Sequence, residues 1–372
     1  MALGQCLYAH RELYNAALQE RRDAYRQAKV SIRFKDQSAD LPYIRSVRPD
    51  IARWGSGSEQ ATLRKLDRAM QAFFRRCKQG ETPGFPRFKA AHRFDSVVWP
   101  SVGDGCAWLP EQRRIRLQGI GHVQVTVHRP VVGVVKTIQV KREGRRWFVV
   151  LSCDDVPAEP LPVTGAVIGV DVGLASFLTT SDGEHVPNPR HGRTSAARLA
   201  QAQQVLARKK RGSANRRQTR AVVANRHRKI ADQRRDFHHQ TARRLVNDYD
   251  VIAVEKLAVA NMVRSAKGTI EQPGVNVAAK SGLNRSIMDA GWGQLRQILE
   301  AKAAEAGRRV VAVNPRHTSQ RCAECGHVER SNRVTQAVFR CCRCGHTAHA
   351  DVNAARKILR AGLALLDTQN VS

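Results

Sequence analysis

No run of apolar residues in the sequence approaches the roughly 20 needed to cross a bilayer, so no membrane-spanning segment is expected. The start, Met1-Ala-Leu-Gly-Gln-Cys6, lacks the basic-then-apolar layout of a secretory leader. That points to a cytoplasmic chain, nucleoid-associated when bound to DNA, whose nine cysteines serve metal binding better than disulfides. Aromatic residues make up only 5% of the chain, too few for a binder built mainly from base-stacking platforms. Acids are scarce as well. Against 63 Lys and Arg stand 32 Asp and Glu, a formal net charge of +31. Such an excess repels itself in a compact state and calls for a polyanionic partner, of which nucleic acid is the obvious one.

What is present is enough for folding. The chain has 372 residues, 42% of them hydrophobic, sufficient for one or two cores without disulfide staples. Residues 1 to about 90 read as basic amphipathic helices, with Leu63, Leu66, Met70 and Phe73 recurring at helical spacing. Ser58 is placed to cap the second long helix. From about 96 to 153 the period drops to two, in Arg114–Leu117, His122–His128, Lys136–Lys141 and Arg146–Leu151, which suggests a small barrel or sandwich. Pro157, Pro160 and Pro162 form a stiff linker and put a boundary near 160. Beyond it come strands at 166–173, 176–180, 249–255 and 309–313, with a helix over 284–306, an order that implies an α/β sheet.

Residues 190–246 carry 17 Arg and Lys against two acids, Asp232 and Asp236. With almost no acidic partners, ion pairing along a helix cannot stabilise such a run. A phosphate backbone lying against Arg208, Lys209, Lys210, Arg216, Arg217 and Arg220 explains it better than a merely solvated face.

Two constellations carry chemistry. Cys322-x2-Cys325 and Cys341-x2-Cys344 are each followed by glycine, Gly326 and Gly345, as zinc knuckles are. Four thiolates leave no open coordination position, so one structural Zn2+ is expected. A redox pair, an iron site, and a register in which Cys342 replaces Cys341 are the alternatives. The second set is three carboxylates: Asp171 and Glu255 each end an apolar strand, and Asp351 opens a helix. An acid terminating a buried strand is costly unless it is paired or bound to metal. Singly, each has an ordinary explanation as a turn former, an arginine partner or a helix cap. Together, in so basic a chain, they suit a site for two Mg2+ ions acting on a phosphodiester.

Ile168-Gly-Val-Asp-Val-Gly173, Asp250-Val-Ile-Ala-Val-Glu255-Lys-Leu257, Leu283–Trp292, Asn314–Gln320, the double knuckle and Ala350-Asp-Val-Asn-Ala-Ala355 occur in one order across residues 8–362. In these blocks the sequence resembles TnpB, the transposon-encoded family related to type V CRISPR effectors. The resemblance implies an α/β RNase H-like (RuvC) domain with an inserted zinc ribbon at about 318–348, spanning 161–372. Before it, over 1–160, it implies a small β-barrel (wedge) domain carrying a helical recognition insert. It also implies an RNA-guided DNA endonuclease that cuts beside a short adjacent motif, as a monomer on one guide RNA. Asp171, Glu255 and Asp351 fall on the family's catalytic positions, and Gln60 falls where members place a glutamine near the adjacent-motif duplex. His349-Ala350 departs from the Asp-Arg that many members carry there. A nuclease-inactive guided repressor and a compact CRISPR effector are the alternative functions.

Overall fold

The computed structural model describes residues 2–370, in two compact units, Met1–Pro157 and Ala158–Ser372. Among the described residues no helix is long and apolar enough to cross a membrane.

The first unit begins with α1 (Ala2–Ala28) and three short helices, α2 (Phe34–Ala39), α3 (Leu41–Val47) and α4 (Pro49–Ala52), followed by α5 (Ser56–Lys78). Leu13, Ala17 and Leu18 on α1 meet Leu63 and Leu66 on α5, one apolar stripe against another. Ser58 does not cap α5. The cap position is Gly55, at φ 96°, and Ser58 is buried within the first turn, where its Oγ lies 2.9 Å from Nε2 of the buried His10. The strands β1 (Ser96–Trp99), β2 (Cys106–Leu109), β3 (Arg114–Leu117), β4 (Gly121–Gln124), β5 (Val134–Glu143) and β6 (Arg146–Asp154) pair as two antiparallel sheets, ordered β1-β5-β6 and β2-β3-β4. Val97, Trp99, Ile115, Leu117 and Ile138 join the same core as the two long helices.

The second unit is built on a five-stranded sheet ordered β11-β10-β7-β8-β9. Its strands are β7 (Val167–Val172), β8 (Ser176–Thr180), β9 (His185–Pro187), β10 (Val251–Glu255) and β11 (Arg309–Val313). The first three form an antiparallel meander; β10 and β11 run parallel to β7. Buried strands of this kind read as continuous apolar runs because helices cover both faces. Between β9 and β10 lie α6 (His191–Thr194), α7 (Ala196–Ala207) and the 35-residue α8 (Ala214–Asp248). After β10 come α9 (Val259–Met262), α10 (Val277–Ala290) and α11 (Trp292–Glu305). The single helix expected over 284–306 is thus two. Gly291, at φ 67°, breaks the run against the His238 ring, whose Nε2 lies 2.9 Å from the Ala290 carbonyl oxygen. A small hairpin, β12 (Val338–Arg340) with β13 (Thr347–His349), precedes the last helix, α12 (Ala350–Asn370).

The two faces of the sheet differ in side-chain size. Ile168, Val170, Ile252 and Val254 point into the core shared with α8 and α11, among Ala242, Leu245 and Leu299. Alternation along a strand sends Gly169, Asp171, Ala253 and Glu255 to the opposite face, which α12 covers. The small residues let α12 come close: a Cβ at Gly169 would overlap the Ala355 carbonyl oxygen, and one at Gly362 would sit 2.6 Å from the Ala253 Cβ.

Candidate active site and metal centre

Close docking of α12 delivers the third acid to the other two. Parallel pairing sets Val254 opposite Val170, so one residue further on Glu255 and Asp171 come level on adjacent strands, on the face that α12 covers. Asp351 stands in the first turn of α12. All three carboxylates line one cavity of about 280 Å3, together with Thr318 and Arg333. Segments as distant as 171, 255 and 351 therefore converge.

The electrostatics of this cavity are lopsided. Burial, then the charges of Glu255 and Asp351, push the Asp171 carboxyl up to about 8, with Arg333 acting against them. Burial also raises Glu255, opposed by a hydrogen bond from the Thr318 hydroxyl. Arg333 is the only cation lining the cavity, and its Nη2 reaches Asp351 Oδ1 at 3.4 Å. Three acids facing one cation leave an excess of negative charge among hard oxygen donors, the setting a divalent cation such as Mg2+ neutralises. Among the described residues only a cysteine set has three or more donor atoms all within 4.8 Å of one another.

That cysteine set is Cys322, Cys325, Cys341 and Cys344. The Sγ atoms of Cys322 and Cys344 lie 3.7 Å apart, and those of Cys325 and Cys341 lie 3.6 Å apart. A tetrahedron with Zn–S bonds of about 2.3 Å has edges of about 3.8 Å, so the thiols fit zinc. Each knuckle closes in the same way: the Cys322 N–H donates to His327 O at 2.9 Å, the Cys341 N–H to His346 O at 2.8 Å. Gly326 and Gly345 supply the positive φ, 73° and 75°. Burial raises the Cys341 thiol, but N–H groups of Cys344 and Arg343 and the neighbouring thiols outweigh it and bring it down, while Cys322 and Cys344 in the same set are raised, so without a metal the four thiols do not ionise together. The Sγ of Cys341, not that of Cys342, belongs to the cluster, so the register with Cys341 inward is the one adopted.

The ribbon and α12 are bolted together by residues the motif reading did not single out. Asn353, fully buried on α12, accepts from the Ala323 N–H at 2.9 Å and donates to Arg321 O at 3.0 Å. Asn332, also fully buried, joins the knuckles: it donates to Gln320 O at 2.9 Å and accepts from the Cys342 N–H at 3.0 Å. Arg333 follows it directly. At the departure His349-Ala350, Ala350 is fully buried among Cys322, Phe339 and Cys341, with no room for an arginine. The ring of His349 accepts the Asp351 N–H at 3.3 Å.

The basic residues lie apart from this cavity on an exposed helical hairpin. Arg208 follows α7, Lys209 and Lys210 form the turn, and Arg217 and Arg220 stand on the first turns of α8, all exposed. Arg216 is half-buried, and its Nη1 donates to Leu206 O and Lys209 O, both at 2.8 Å, so it ties the hairpin together. No residue of α8 before Ile230 is buried. Gln60, in the first unit, sits half-buried near the start of α5.

A probable-transposase family model, OrfB_IS605, matches residues 133–266, and the Cas12f1-like TNB domain model matches 292–358, which spans the ribbon and Asp351. "Putative RNA-guided DNA endonuclease InsQ" of Escherichia coli (strain K12) is 39% identical over 307 residues, covering 82% of this chain and 74% of that protein. A "Putative RNA-guided DNA endonuclease" of Streptomyces pristinaespiralis is 33% identical over 375 residues, covering 95% of this chain and 84% of that one. In solved structures, the Cas12f1 chain of a Cas12f1–sgRNA–target DNA complex shares the fold at a TM-score of 0.57 and 15% identity, over 96% of this chain and 81% of that chain.

Proposed function

Because the chain belongs to the TnpB family, we propose that it is an RNA-guided DNA endonuclease whose cleavage centre is the cavity of Asp171, Glu255 and Asp351. The convergence of these three carboxylates, with Asp171 pushed up to about 8, is the observation that carries the assignment. We read the five-stranded sheet with α12 as a RuvC-type, RNase H-like nuclease core, and the first unit as a wedge domain with a helical recognition insert. The guide supplies sequence choice by base pairing, while the protein reads backbone and a short adjacent motif, toward which we assign Gln60.

Hydrolysis adds water across one phosphodiester bond: oxygen joins phosphorus, the ester P–O bond breaks, and the leaving oxygen gains a proton. Asp171, Glu255 and Asp351 would hold two Mg2+ ions, which when bound lower the pKa of water and stabilise the leaving oxygen. Thr318 fixes the Glu255 carboxylate in place through its hydroxyl. Arg333 brings positive charge to the side of the cavity occupied by Asp351, where a phosphate oxygen has to dock. Cys322, Cys325, Cys341 and Cys344 would hold a Zn2+ that fixes the ribbon, and through Asn353 and Arg333 the ribbon holds Asp351. The exposed cations of the α7–α8 hairpin meet the phosphates of guide RNA and target DNA. The test is plasmid cleavage by the guide-loaded protein: Asp171→Asn and Glu255→Gln should each abolish Mg2+-dependent cutting while guide binding persists. Retained cutting in either variant overturns the assignment.

A further inference from the structure

A cavity of about 1010 Å3 opens in the first unit between α1, α2, α5 and the loop that follows α5. Tyr25, Phe34, Phe73, Phe74 and Phe85 line it, a concentration of rings in a chain with few. Phe73 stands edge-on to Phe74 and Phe85, with ring centroids 5.2 and 5.1 Å away. Tyr25 and Phe74 are more than half exposed, at 55% and 58%. Arg22, Arg26, Arg33 and Lys35 surround the rings, and the only acid lining the cavity, Asp67, already pairs with Arg21 at 3.0 Å.

The cavity thus combines aromatic faces with a cationic rim whose lining acid, Asp67, is already taken by Arg21. An uncharged aliphatic occupant would not use the rim's charge, and a second copy of a chain at +31 would be repelled by it. A nucleic acid duplex hides its base faces, whereas an unpaired strand offers both π-faces and phosphates.

We propose that this cavity holds a single-stranded segment of the guide RNA, bases against Tyr25 and Phe74 and phosphates among the rim cations. The proposal rests on the RNA-guided reading above and adds to it a specific site for unpaired RNA. Its volume, at the top of the usual range of about 300–1,000 Å3 for small-molecule pockets, suits a short segment better than one base.

The test is fluorescence anisotropy of full-length, RNA-free protein with three labelled probes: a uridine octamer, a thymidine octamer and a double-stranded RNA. Tyr25→Ala and Phe74→Ala remove exposed rings, so both variants should melt with the wild type. Each should bind the uridine octamer about tenfold more weakly, as expected for losing one stacking partner, with duplex affinity unchanged. The proposal is overturned by an unchanged octamer affinity, by an equal loss on the duplex, or by a loss confined to the thymidine octamer. Sedimentation showing a wild-type dimer that Phe74→Ala dissociates would also overturn it. Asp171→Asn separates the two claims: it should leave octamer binding intact, so failure of guided cleavage and failure of the cavity show up in different measurements.

Discussion

Asp171→Asn should make the Mg2+-free protein more stable, by an amount that grows with pH. The folded chain holds this carboxyl at about 8 against an ordinary 3.8. An acid whose pKa is raised by folding binds its proton more tightly folded than unfolded, so stability falls as pH climbs between the two values. The penalty is absent below about pH 4, grows through the window, and is complete above about pH 8. At about 1.36 kcal/mol per unit the ceiling is about 6 kcal/mol. Relaxation around the buried charge and entry of water reduce this, and about 2 kcal/mol is the expected residue at pH 8.5. For a unit of this size that is a melting difference of about 4–8 °C.

Asparagine matches the protonated carboxyl in shape and never ionises. The two proteins should therefore melt together near pH 4.5 and separate as the pH rises to 8.5, with the variant higher. Titrating groups away from the cavity cancel in the comparison, while Glu255 and Asp351 lose a charged neighbour in the variant, which widens the gap in the same direction. The assay is thermal unfolding by circular dichroism in buffers freed of Mg2+ by dialysis, with no chelator, so that zinc stays on the ribbon. A gap that is constant across pH, or a wild type that remains the more stable at pH 8.5, refutes the electrostatic reasoning, because no charge penalty would then exist for Mg2+ to relieve.

Protons and Mg2+ compete for the same carboxylate, so at limiting Mg2+ guided cleavage should rise with pH up to about 8, and raising Mg2+ should move the midpoint lower; a midpoint independent of Mg2+ contradicts this. Cys341→Ser should lose the single zinc measured by elemental analysis and, with it, cleavage, whereas Cys342→Ser should keep both, since Cys342 is exposed and outside the thiol set. Gly169→Ala should cost about 1–3 kcal/mol in denaturant unfolding and lower cleavage, because its methyl group would push α12, and with it Asp351, off the sheet. Guide affinity should fall about a thousandfold between 50 and 200 mM salt if six or more phosphates are contacted, read by filter binding.

The strands were the most legible part of the fold. Ser176–Thr180 and Arg309–Val313 occupy the residues read as strands from the sequence: Arg309–Val313 is apolar after its first residue, and Ser176–Thr180 is rich in β-branched and aromatic side chains. The helix over 284–306 was not legible in the same way: a glycine within a helical run costs only about 1 kcal/mol, and what makes Gly291 a break is its packing against His238, far away in sequence. Ser58 satisfied the rule for a cap, yet contact with His10 from another helix drew it inside α5. The three-residue β9 is set by the turn that returns the chain to β8, and it carries too few residues to show a period.

The same contrast runs through the candidate site and has one physical origin. In a chain with 32 acids against 63 cations, a carboxylate ending a buried strand stands out, because nothing local explains its cost. Cysteines in paired knuckles stand out through spacing alone. Arg333 has neither advantage. It is one basic residue among many, between the knuckles, in a segment with no regular period, and only the folded ribbon brings it to Asp351. Arg216 shows the converse: it belongs to the most conspicuous charge run in the sequence, yet the carbonyls of Leu206 and Lys209 take up its guanidinium. Charge density along the chain locates a surface for a polyanion, but which cation reaches a reacting phosphate depends on long-range packing. Here that packing is Asn353 fastening the ribbon to α12, and Gly169 letting α12 settle on the strand that carries Asp171.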